Sequence, residues 1–88
     1  MTINWKDTNA KEQVEELLNR MTQGEDISIR ITNIVSDEFC TLYGIDGYDE
    51  CNGWQLDWWA KMDWKNTEIN ISGCAWYGTI DLFIDDEE

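Results

Sequence analysis

The 88-residue sequence contains no histidine and no proline, and sets only six Lys and Arg against nineteen Asp and Glu. Without histidine, the usual Ser-His and Cys-His pairs that activate a nucleophile cannot be built. Three cysteines (Cys40, Cys51 and Cys74) are odd in number and lack the two-residue spacing of a metal or redox motif. A structural zinc site would therefore need an acidic fourth ligand, so reduced thiols with a structural role are the expectation. Neither of the glycine-rich phosphate-cradling motifs is present. Paired carboxylates could in principle hydrolyse a glycoside, but so short a chain leaves little room for a substrate cleft around them. No apolar run approaches the length of a membrane span. Thr2–Asp7 has no apolar stretch of the kind that opens a secretory signal. These absences point to a soluble, cytoplasmic protein that is not an enzyme and takes no cofactor, no metal and no membrane partner.

What the chain does have is negative charge and tryptophan. Its formal net charge is −13, with a sequence pI near 4.1. From Met1 to Ile45 there are 8 acids and 4 bases; from Asp46 to Glu88 there are 11 and 2. Such a chain repels nucleic acid and attracts basic surfaces over a Debye length of about 8–10 Å. Hydrophobic residues make up 42% of the sequence, six of them Trp, which argues against disorder and for one small folded domain over residues 1–88.

Residues 1–7 read as a lead-in, with Ile3 and Trp5 free to tuck against the body. Ala10–Thr22 reads as a helix: Val14, Leu17, Leu18 and Met21 fall on one stripe, Thr8 or Asn9 can cap it, and Gly24 supplies a left-handed stop. Ile27–Thr32 alternates and begins a strand, with a bulge or two-faced contact expected at Asn33–Val35. Ser36-Asp37 reads as a turn and Glu38–Ile45 as the returning strand. Asp46–Gly53 is a long acidic loop without the ligand spacing of an EF-hand.

The stretch Trp54–Trp64 organises the rest. Its even positions are all apolar and its odd positions polar except Trp59, the pattern of a half-buried strand. Lys65-Asn66 reads as a two-residue hairpin turn. That turn fixes a register, pairing Trp64 with Thr67, Met62 with Ile69 and Ala60 with Ile71 on the inner face. On the outer face it sets Asp63 against Glu68, a like-charge pair that costs stability. Ser72–Ala75 reads as the next turn. Beyond it Trp76, Gly78, Ile80, Leu82 and Ile84 are expected inside, with Tyr77, Thr79, Asp81, Phe83 and Asp85 outside. Residues 85–88 form an acidic tail. The fold class expected is α+β, one N-terminal amphipathic helix on a mostly antiparallel sheet of about five strands (residues 27–84).

Carboxylates with aromatic rings among them have the composition of a hot spot for a basic protein. The candidate partner-binding residues are Asp46, Asp49, Glu50, Asp57, Trp59, Asp63, Glu68, Asp81, Phe83 and Asp85. Strongly basic protein surfaces are mostly those that hold nucleic acid. In size, charge and lack of catalytic groups the chain is similar to phage-encoded DNA-mimic anti-restriction and anti-CRISPR proteins and to immunity proteins that block cationic nucleases. That similarity implies an inhibitor occupying the nucleic-acid site of an enzyme or defence complex, without binding nucleic acid itself. Two other readings stay open: a carbohydrate-binding module stacking sugars on exposed Trp and Tyr, and a small subunit of a larger assembly. Whether one copy or a dimer acts is open too.

Overall fold

The computed structural model describes residues 1–45 and 57–84. Along the chain run β1 (Thr2–Asn4), α1 (Ala10–Thr22), β2 (Ile29–Thr32), α2 (Ser36–Tyr43), β3 (Asp57–Trp64), β4 (Thr67–Cys74) and β5 (Thr79–Phe83). The strands form one sheet in the order β1-β2-β5-β4-β3, with β1 parallel to β2 and every other pair antiparallel. The fold is α+β, with the N-terminal helix packed on the sheet.

The apolar stripe of α1 explains its place: Ala10, Val14, Leu17, Leu18 and Met21 are all buried. Its end is closed by Gly24 at φ +94, where the Gly24 and Glu25 amides return to the carbonyls of Met21 and Arg20. At the other end Asn9 stands at the cap position, but its side-chain oxygen accepts from Gln13 Nε2 and caps no backbone amide. The lead-in is a strand rather than a loose arm. Thr2, Ile3 and Asn4 pair with Arg30, Ile31 and Thr32, and Ile3 is buried. Two adjacent parallel strands need a crossover between them, and α1 is that crossover.

The expected second strand is a helix. Ser36, Phe39, Cys40 and Tyr43 recur at helical spacing; the first three are buried and Tyr43 packs against the core. Read as a strand, Phe39, Thr41 and Tyr43 would share one face; in the structure Thr41 is exposed and Cys40 takes the buried place. Asp37 and Glu38 occupy the first turn and Gly44 the left-handed C-cap, so Ser36-Asp37 opens a helix instead of making a turn. The irregularity expected at Asn33–Val35 is a left-handed residue, Asn33 at φ 57, where the chain leaves the sheet.

The long hairpin forms as its alternation requires. Lys65 and Asn66 both have positive φ (52 and 69), the pair of conformations that a type I′ turn demands. Every expected pairing is present, including Asp63 opposite Glu68. The following turn is displaced: β4 runs on to Cys74, and the chain reverses over Ala75–Gly78. Trp76, expected inside, therefore lies exposed on that turn, and Ile84 is also exposed, while Ile80 and Leu82 are buried as the alternation implies.

Both helices cover the same face of the sheet. Trp58 is completely buried there and donates its Nε1–H to Ser36 Oγ of α2 at 2.7 Å. Trp64 Nε1–H donates to Asn19 of α1 at 2.9 Å, and the Tyr43 hydroxyl donates to Glu15 at 2.9 Å. These bonds fix the two helices to β3 and to each other. Ser36→Ala removes the hydrogen bond that the buried indole N–H donates to Ser36 Oγ and is expected to cost about 1–3 kcal/mol, read as a lower urea midpoint at unchanged slope.

Candidate partner-binding face

A helix layer on one side leaves the other side of the sheet uncovered by any described residue. The pleat sends the odd residues of β3 and β5 and the even residues of β2 and β4 to that open face. Register then sets Arg30, Asp81, Ser72 and Trp59 in one transverse row. Phe83, Asn70 and Lys61 form the next, and Glu68 faces Asp63 beyond them at the hairpin end. Asp57, Cys74 and Thr79 lie on the other side of the central row.

Trp59 is 60% exposed and Phe83 38%, so neither ring is covered by a second layer. Tyr77, 75% exposed on the Ala75–Gly78 turn, adds a ring that stands beside the same face. A shallow depression of about 770 Å³ lies between Trp59 and Tyr77, bounded also by Asn33, Asp57 and Ser72 among others.

The carboxylates do not all stand free. Arg30 grips Asp81 with two hydrogen bonds, Nε to Oδ1 at 2.8 Å and Nη2 to Oδ2 at 3.2 Å. That contact raises the Arg30 pKa. Asp81, expected as a binding acid, is thus already compensated within the fold. Sequence alone does not give this pair, because it depends on β2 lying beside β5. Lys61 reaches Glu68 only at 3.8 Å, an exposed pair of small energetic weight. Asp63 has no ion-pair partner among the described residues. The described open face therefore carries four acids (Asp57, Asp63, Glu68, Asp81) against two bases (Arg30, Lys61). Of the other eight described acids, five sit on the helices, at Glu12, Glu15, Glu16, Asp37 and Glu38. Among the candidate residues, Asp57, Trp59, Asp63, Glu68, Asp81 and Phe83 share this face. Asp46, Asp49, Glu50 and Asp85 lie outside the described residues.

No group of three or more metal-binding side chains comes together among the described residues. No described helix is long and apolar enough to cross a membrane. Burial, then the nearby Asp37 carboxylate, pushes the Cys40 thiol from its ordinary 9.0 up to about 11. At about pH 8 only about one Cys40 in a thousand is a thiolate. Cys40 should therefore resist alkylation in the native protein and react on unfolding, as peptide mass spectrometry would show. Tyr43 is raised in the same direction by burial and by its bond to Glu15. An acid whose folded pKa is raised contributes stability below its unfolded pKa and loses it as pH climbs to the folded value. The urea midpoint is expected to fall as pH rises from about 9 to about 11.

Comparison with protein-family models, curated proteins and solved structures returns no match. The functional reading rests on the geometry of the open face.

Proposed function

We propose that the protein is a small, acidic, non-catalytic inhibitor that occupies the basic nucleic-acid-binding site of a partner protein in the cytoplasm. The partner is an enzyme or defence complex of the restriction, CRISPR or nuclease class, and the open face is the docking surface. The observation that carries this reading is the Asp63–Glu68 register. Two carboxylates stand directly opposite each other, beside a face whose central ring, Trp59, is exposed. Neither feature helps the domain fold. Like charges across a ladder destabilise it, and an exposed indole gains nothing from burial. A basic site makes both favourable, since the carboxylates take the places of phosphates and the ring packs where a base would stack.

Binding of this kind weakens steeply with salt and competes with DNA or RNA. Affinity that ignored ionic strength, or nucleic acid bound alongside the protein, would rule it out. The depression between Trp59 and Tyr77, with Asp57, Asn33 and Ser72 at its edge, favours a second reading, a sugar stacked on the rings. Quenching of tryptophan fluorescence by soluble polysaccharides at high salt would select it.

A further inference from the structure

Among the described residues the sheet has two outer strands, β1 of three residues and β3 of eight. β3 spans eight residues, is paired to β4 on one side, and has no described strand on the other. Proteins usually blunt such an edge with a proline, a bulge, a very short strand or charged side chains; the charges here, Asp57, Lys61 and Asp63, are of both signs and can pair with those of a second copy. Here the sequence has no proline, and the β3–β4 register runs from Asp57 to Trp64 without a break. A two-residue hairpin makes Trp64 and Thr67 a hydrogen-bonded pair, so the even residues of β3 bond to β4. The amides and carbonyls of Asp57, Trp59, Lys61 and Asp63 then point outward along the edge that no described strand occupies.

We propose that this edge pairs with the same edge of a second copy, antiparallel about a two-fold axis through Trp59, joining two sheets into one of ten strands. The register follows from charge and parity. Keeping each copy's open face on one side requires odd residues opposite odd ones. An axis at Ala60 would set Asp57 against Asp63, and an axis at Lys61 would set two lysines together. Both place like charges opposite each other. An axis at Met62 would match Lys61 with Asp63 but leave Trp59 opposite Lys65, in the turn beyond the strand. An axis at Trp59 matches Asp57 with Lys61 on both sides. It sets the two exposed indoles side by side on the open face, where a partner can still reach them, and on the inner face it sets Trp58 against Ala60, large against small. The doubled sheet carries two hairpin ends with Asp63 and Glu68, so the partner would be gripped at two places.

Sedimentation velocity over a concentration series tests this with the intact protein alone. The wild type is expected to shift from monomer to dimer as concentration rises. Because each copy carries −13, the shift should come at lower concentration when salt is raised, the opposite sign to binding of a basic partner. Asp57→Lys and Lys61→Asp should each weaken association by at least about tenfold. The double swap Asp57→Lys/Lys61→Asp should restore it to within about threefold of the wild type, which a merely misfolded variant could not do. A wild type that stays monomeric throughout overturns the proposal, as does association that loosens with salt. Rescue by Lys61→Asp/Asp63→Lys in place of the first swap overturns the Trp59 register.

Discussion

Gly73→Ala is expected to destabilise the domain by about 3 kcal/mol, at the upper end of what overpacking costs. For a chain of this length that is a large share of total stability, and it corresponds to a fall in melting temperature of roughly 15 °C. Gly73 has no unusual backbone conformation to protect. It lies on the inner face of β4 directly across from Trp58, and a methyl group there would fall onto the Cε2, Cζ2 and Nε1 atoms of the indole. The ring cannot slide aside. It is wholly buried, and its N–H is held by Ser36 at the start of α2. Moving it would break that bond and loosen the helix from the sheet. The clash is with one ring, so the effect should be strongly non-additive with Trp58→Phe, which removes the crowded atoms. Gly73→Ala as costly in the Trp58→Phe background as in the wild type would contradict this packing.

Asp63→Lys is expected to raise stability and to lower partner binding. Reversing the charge turns a repulsive cross-strand pair with Glu68 into an attractive one, a gain of about 0.5 kcal/mol. The same change removes a carboxylate from the proposed docking face, and together with Asp57→Lys and Glu68→Lys it should slow association with a basic partner by about 10–10³-fold at low salt. Trp59→Ala should act mainly by speeding dissociation, because a buried aromatic anchor contributes after the encounter. Asp81 behaves differently. Reversing it leaves Arg30 without its bidentate partner, so lost binding there cannot be separated from a disturbed sheet. A site kept for function at the expense of stability is recognised by opposite responses of the two quantities, and Asp63 offers that separation cleanly.

The parts of this fold that could be read from sequence are those with strong periodicity. Alternation over β3 and β4, with Lys65-Asn66 between them, gave the hairpin and its register, and the stripe from Val14 to Met21 gave α1. Two short elements escaped. β1 has three residues, too few for any period, and its partner β2 lies beyond a whole helix. The eight residues of α2 hold Phe39, Thr41 and Tyr43, types favoured in strands; the acids in the first turn and Gly44 at the end were the better guide. The candidate face was legible to the extent that parity decides it: Asp57, Trp59, Asp63, Glu68, Asp81 and Phe83 do face the same way. Its charge was not. The order of strands brings Arg30 beside Asp81, and nothing in the spacing of residues separated by half the chain foretells that pairing.

On the function proposed, the open face docks on a surface that otherwise receives nucleic acid. The most direct measurement immobilises the wild type and the Asp57→Lys/Asp63→Lys/Glu68→Lys variant side by side, passes a host lysate over both, and identifies what a salt gradient and a DNA or RNA wash release. Capture by the wild type of a nucleic-acid-binding protein that the polynucleotide displaces, and that the variant fails to hold, is the predicted result. Equal capture by both surfaces, or a captured protein that the polynucleotide leaves in place, would contradict it.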